Sequence, residues 1–250
     1  MNENKLKKID ELKKEIDSYR PLKKNERDEL KAYYRIGLTY SSNALEGNSL
    51  TETETKIVLE EGITIGGKLL KDHLETLGSS DAYDLLYKLV KIPGITEKDI
   101  LKLHKLFYFR IDPKQAGKYR KVQVFITGTE FIPPAAQEIP YLMKELTQEI
   151  PTLKEQYHTA EYAALLHLKL VTIHPFIDGN GRCARLLMNL ALMHAGYPIT
   201  IIPLITRKDY INAIKTAQTS KNNGPFVDFI SSMVIEAEYE FLRLVRALRE

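Results

Sequence analysis

The residues best suited to chemistry lie in one stretch, Leu170 to Gly196. An apolar helical segment reaches His174, and Pro175 then blocks its continuation. A residue before proline is pushed out of helical geometry, so His174 is expected at a helix end. A polar turn follows, Asp178-Gly179-Asn180-Gly181, and opens a second apolar helix from about Arg182 to Ala195 that stops at Gly196. Such a turn aims free backbone N–H groups at one spot beside the positive end of a helix dipole, which makes an anion site. Arg182 and Arg185 are three apart and share a face one turn into that helix. Together these residues offer a base, a carboxylate and a cationic nest that suits several phosphates at once. An isolated histidine is more often a core residue, but beside Pro175 and an anion nest the balance shifts to catalysis. Asp178 could instead cap the following helix. Two permanent cations at a helix's positive end repel its dipole, so an anionic partner explains them better than a solvated pair does.

The elements that must hold this stretch are mostly helical. Leu6, Ile9, Leu12, Ile16 and Tyr19 stand at helical spacing over residues 3 to 19. A second helix is expected from about Asn25 to Leu45, closed by Ser42, Glu46 and a Gly47-Asn48 turn. Thr51-x-x-Glu54 is a capping box for a helix ending at Gly62, and residues 63–68 read as a short hairpin or tight turn. Further helices are predicted at 69–91, 96–109, 135–150, 155–173, 180–195, 207–220 and 226–248. Only residues 112 to 134 differ. There Val122-Gln123-Val124-Phe125-Ile126 alternates between Gly117 and Gly128, which predicts a β-hairpin. The fold class is therefore mainly all-α with one small β element.

Composition sets wide bounds. Hydrophobic residues at 44% and charged residues at 28% are ordinary for a globular protein, and 250 residues suffice for one large core. A net charge of +3 is too weak to imply nucleic acid. The N-terminal lysines alternate with acids, the pattern of a solvated helix face. A single cysteine, Cys183, excludes an internal disulfide and a cysteine-based zinc site. The N-terminus lacks a signal-peptide core and no run is long enough to span a membrane, so a cytoplasmic location is expected. The other five histidines, His73, His104, His158, His167 and His194, lack partners at metal spacing and read as structural.

At His174 to Arg185 a resemblance becomes explicit. The stretch resembles the complete signature of Fic-domain nucleotidyl transferases, His-Pro-Phe-x-Asp-Gly-Asn-Gly-Arg-x-x-Arg, at every specified position. Ser42-Asn43-Ala44-Leu45-Glu46-Gly47 resembles the family's inhibitory motif, Ser/Thr-x-x-x-Glu-Gly/Asn. The resemblance covers most of residues 35 to 235. It implies a Fic fold with the hairpin as a flap over the active site, holding the target's backbone as an added strand. It divides the chain into a helical region 1–95 containing the inhibitory helix (about 25–47), a Fic domain 96–236 and a C-terminal helix end 237–250. Because the sequence ends soon after its last predicted helix, the DNA-binding winged helix of some relatives is not expected.

The implied activity is transfer of AMP from ATP to a Ser, Thr or Tyr hydroxyl of a target protein, with Mg²⁺ or Mn²⁺. By resemblance His174 is the general base and Asp178 the metal ligand. Gly179, Asn180 and Gly181 serve the α-phosphate, Arg182 the α/β-phosphates and Arg185 the γ-phosphate. Ile126, Thr127, Gly128 and Thr129 of the flap are carried over as nucleotide neighbours, and Tyr210 and Gln218 as neighbours of the adenine and ribose. Tyr210 could equally be packing. Glu46 would place an anion on Arg185 and remove the γ-phosphate's partner, with Ser42 and Gly47 shaping the helix end. Expected partners are ATP and a target protein docked on the flap, with no nucleic acid and no membrane. The amphipathic first helix allows a homodimer without requiring one. Three other readings stay open: removal of AMP with Glu46 activating water, a different donor, and a non-catalytic nucleotide-binding module.

Overall fold

The computed structural model describes residues 3–250, and each of its α-helices has a buried face that holds it in place. The first, α1 (Glu3–Ser18), buries Ile9, Leu12 and Ile16 against the last, α10 (Gly224–Ala247). Helix α2 (Lys24–Ala44) turns Leu30, Tyr34 and Leu38 inward and ends where Gly47 takes φ +94°. Only glycine adopts that left-handed conformation without strain. Capping boxes open α3 (Glu52–Glu60) at Thr51/Glu54 and α5 (Glu97–Tyr108) at Thr96/Asp99. Between them runs α4 (Leu70–Leu89), packed on α2, α5 and α8.

The centre of the molecule is the pair α7 (Thr159–Ile173) and α8 (Asn180–His194). Nearly every residue of both is buried, so they form the core rather than face it. Around them lie α6 (Ile139–Gln156), α9 (Arg207–Ser220) and α10. The loop joining α7 to α8 is the His174–Gly179 segment, so the candidate chemistry is anchored to the two most deeply buried helices. Among the described residues no helix is long and apolar enough to cross a membrane.

Two expectations need correction. Helix α6 runs through Pro151 to Gln156 instead of ending at 150. Proline there removes one ladder bond, while Ile150 and Leu153 keep the final turns packed on the core. Finally, the segment 120–134 runs out and back around a turn at Gly128 (φ +79°), but no strand is formed. Its alternation has no sheet face to bury, and Phe125 is 78% exposed. Two lone strands are marginal in water, and here side chains pin the arms instead.

Candidate functional site

His174 closes α7 in the left-handed conformation, φ 52° and ψ 56°, with its N–H bonded to Leu170 O. Pro175 forbids another helical turn, and histidine is among the few non-glycine residues that tolerate this conformation. The imidazole Nδ1 lies 3.2 Å from Val171 O. A carbonyl oxygen can only accept, so the proton sits on Nδ1 and Nε2 is left as the basic nitrogen. Burial pulls the His174 pKa down, the Val171 bond opposes this in part, and the Arg120 cation lowers it further. The ring is held below its ordinary value and is neutral near pH 7.

The loop beyond it is fixed from three sides. Asn180 accepts from Phe176 N–H (2.9 Å) and donates to Phe176 O (2.9 Å), stapling the loop to itself. Its amide oxygen and one amide N–H are thus engaged within the loop. Phe176 stacks on His104 at 3.7 Å between centroids, and His104 Nε2–H donates to Asp178 O at 3.0 Å. His104 Nδ1 accepts from Gly117 N–H, so its proton is on Nε2, and burial lowers its pKa to about 4. Gly179 has φ +78° and lies so close to the Phe107 ring that a Cβ would collide with it. Arg120, 2% exposed, completes the frame. It donates to His174 O (2.8 Å), Val122 O (2.9 Å) and Pro134 O (2.6 Å), tying the base to both ends of the extended segment.

Helix α8 begins with an open anion nest. Cys183 N–H is the first to find a backbone partner, Gly179 O, so the N–H groups of Asn180, Gly181 and Arg182 point out of the helix start. The Glu46 carboxylate lies against this turn, so close that a Cβ on Gly181 would collide with Oε1. The same oxygen accepts from Arg185 Nη2 at 2.8 Å. Arg185 is 2% exposed and also donates to Ser42 O (2.8 Å), Ser42 Oγ (2.9 Å) and the Tyr210 hydroxyl (3.2 Å). Burial pushes the Glu46 carboxyl up, but the charges of Arg185 and Arg182, with Arg207 behind them, outweigh it. Its pKa is held below the usual range, so Glu46 is an anion at the mouth of the nest.

Arg182 is held differently. Its Nη1 pairs with Glu75 at 2.8 Å, Nη2 stands 3.6 Å from Asp178, and the guanidinium lies over the Phe107 ring at 4.3 Å. Its Nε and the neighbouring Asn43 Nδ2 are buried donors without acceptors among the described residues. Unmet buried donors beside an anion nest mark places where an acceptor is wanted. Asp178 is half-exposed. Its Oδ1 accepts from Gly179 N–H at 2.6 Å, and Oδ2 takes no protein donor.

Glu46, Ser42, Gly181, Arg182, Arg185 and Asp178 therefore gather on one side of the His174 loop. Gly47 is the positive-φ turn that ends α2 beside them. Tyr210 does not reach the open face. It is buried behind Arg185, with its hydroxyl 2.8 Å from His167 Nε2 and its ring against Phe226. That placement makes it a brace for the arginine. Gln218 lines a separate cavity of about 480 Å³ with Thr172, Ile173 and Phe131, within 3.5 Å of the Thr172 hydroxyl. Ile126, Thr127, Gly128 and Thr129 form the tip of the extended segment, partly or fully exposed. Cys183 is buried and its thiol is pushed up to about 12, so it is inert packing.

Sequence reasoning did not find Glu75, Arg120 or the pinning role of His104. Glu75 gave a weak signal, as an acid on the inward face of α4, but nothing in its spacing pointed to Arg182.

Comparison with known proteins came to the same region. Residues 94–192 match the Fic/DOC family. The protein adenylyltransferase Fic of Drosophila grimshawi is 42% identical over 197 residues, 77% of this chain and 40% of that protein. The chain thus spans about two fifths of the length of the curated relatives it matches. Among solved structures, a Fic domain containing signaling protein from Bacteroides thetaiotaomicron aligns with a TM-score of 0.87 at 28% identity. The alignment covers 96% of this chain and 97% of that one. Fic-1 of C. elegans aligns with a TM-score of 0.87 at 28% identity, over 99% and 72% respectively.

Proposed function

The chain carries a domain of the Fic/DOC family over residues 94–192, and on that premise we propose that it transfers AMP from ATP to a protein hydroxyl and is held inactive by Glu46. One observation carries the reading: the Glu46 carboxylate sits on Arg185 and against Gly181, where the last phosphate of a nucleotide on this nest would need to be. The name of the Drosophila relatives, protein adenylyltransferase, supports the choice of AMP as the group transferred.

In this reading the N–H groups at the start of α8 bind the phosphates nearest the reacting atom. Arg182 and Arg185 neutralise the remainder. His174 Nε2 accepts the proton of the attacking hydroxyl, for which a neutral imidazole is suited. The hydroxyl oxygen forms a bond to the α-phosphorus as the bond to pyrophosphate breaks. Among the described residues no group of three metal-binding side chains stands together. The free Oδ2 of Asp178 fits a divalent cation that arrives on the triphosphate, with phosphates and water as its other ligands. Such a cation would draw charge off the departing pyrophosphate.

Wild type, Glu46→Gly and Glu46→Gly/His174→Ala, each incubated with α-labelled ATP and Mg²⁺, test this. Label is expected on the Glu46→Gly protein alone. Equal label on the double variant would remove His174 as base, and none on Glu46→Gly would remove the reading. A second reading, removal of AMP from a modified target, is favoured by one feature: Glu46 is ionised within the site and so could accept a proton from water. Wild type would then release AMP from a modified target and Glu46→Gly would not.

A further inference from the structure

Beside the site lies a shallow groove of about 670 Å³ on the outer face of α9 and the 3-10 turn before it. Its walls are the aliphatic side chains of Leu204, Ile205 and Ile211 and three cations, Arg207, Lys208 and Lys215. Ile205 is 91% exposed, the barest large aliphatic residue among those described. No carboxylate pairs with the three cations within 4.0 Å among the described residues, and Asp209 lies outside the groove. Exposed aliphatic surface ringed by charge of one sign is the composition of a protein-docking patch. Free polyphosphate would have no use for the isoleucines.

The groove is also wired to the inhibitory turn. Arg207 Nε donates to Leu45 O at 2.8 Å, the carbonyl immediately before Glu46. One turn along the same helix, Tyr210 braces Arg185. Helix α9 thus touches Arg185 directly and Glu46 through the residue before it. A carboxylate brought to the groove would compete with a neutral carbonyl for the Arg207 guanidinium, and charge-assisted bonds are the stronger. Losing Arg207 would free the end of α2 that holds Glu46 in place.

We infer that this groove docks an acidic protein segment with aliphatic anchors, and that docking releases Glu46 through Arg207. The inference rests on the inhibitory reading of Glu46, and its test separates the two. The probe is a fluorescent twelve-residue peptide of glutamate and leucine, with an all-glutamate peptide and a lysine–leucine peptide as controls. Fluorescence anisotropy reads docking without reference to catalysis. The Glu/Leu peptide is expected to bind wild type, and the lysine–leucine peptide not at all. Lys208→Glu/Lys215→Glu is expected to weaken binding roughly tenfold or more, as is Ile205→Asp. In the labelling assay the peptide is expected to raise wild-type incorporation towards the Glu46→Gly level and to leave Glu46→Gly itself unchanged. The charge-reversed variant is expected to keep full Glu46→Gly activity when the two changes are combined.

Binding of either control peptide as tightly as the Glu/Leu peptide, or no binding of the Glu/Leu peptide by wild type, overturns the docking surface. Binding without activation, when Glu46→Gly is active, overturns the relay through Arg207 and leaves the inhibitory reading intact. If Glu46→Gly takes no label, that reading fails, while anisotropy still decides the groove. A charge-reversed protein that sediments as a smaller species than wild type shows the patch covered by a second copy, which also overturns the proposal.

Discussion

Replacing Glu46 by glutamine separates charge from shape in the proposed inhibition. The side chain keeps its length and can still accept from Arg185 through its amide oxygen. What it loses is the ionic part of a 2.8 Å bond to an arginine that is 2% exposed. Bonds to a charged group contribute about 1.5–3 kcal/mol, roughly twice the neutral value. Because the Glu46 side chain is 37% exposed, solvent screens part of this, and about 1–1.5 kcal/mol is the reasonable loss. Arg185 retains Ser42 O, Ser42 Oγ and Tyr210, so the arginine stays ordered and the effect falls on competition with the phosphate. A gain of roughly tenfold in label uptake from α-labelled ATP is expected, with the rest of the gain appearing only in Glu46→Gly. Thermal shift with ATP should move in the same order. Glu46→Gln as silent as wild type would refute the electrostatic argument and leave bulk alone as the block. The sign of the pH dependence follows from the depressed carboxyl. The pair is fully present above the ordinary glutamate pKa and is lost as pH falls through the lower folded value, so inhibition persists across the neutral range.

Gly181→Ala would push a methyl into Glu46 Oε1, yet it is expected to stay inactive with or without Glu46→Gly, because phosphates need the same space; labelling of the double variant checks this. Arg120→Ala strips a buried donor from three carbonyls, His174 O, Val122 O and Pro134 O, and is expected to cost about 3 kcal/mol or more. Urea unfolding reads the stability, and limited proteolysis is expected to cut first within 122–134. Glu238 on α10 is fully buried with neither oxygen bonded, and burial under α1 raises its carboxyl to about 8, with Lys13 opposing and Asp10 and Asp17 adding. A raised acid weakens the fold as pH climbs from the unfolded value through about 8. Glu238→Gln should therefore stabilise the protein at pH 7 by ~1–3 kcal/mol and flatten thermal stability between pH 5 and 8.

Local signals carried most of the helices and the chemistry of the His174–Arg185 loop. Capping boxes at Thr51 and Thr96, Pro175 after the base, and glycines at positive φ act over a few residues, so a linear reading can see them. Local signals fail where packing overrides a breaker, as at Pro151, or where alternation has no sheet to join, as at 122–126. Long-range partners were not legible in that way. His104 meets Asp178 across 74 positions and Arg120 meets His174 across 54, and neither contact leaves a spacing to read. Glu46 and Arg185 are 139 apart; only the likeness to a known motif suggested the pair. Whether a buried cation is already satisfied depends on what the folded chain lays beside it. Glu75 on Arg182 and Arg207 behind Leu45 are contacts that only the packing of α4 and α9 against α8 and α2 could create.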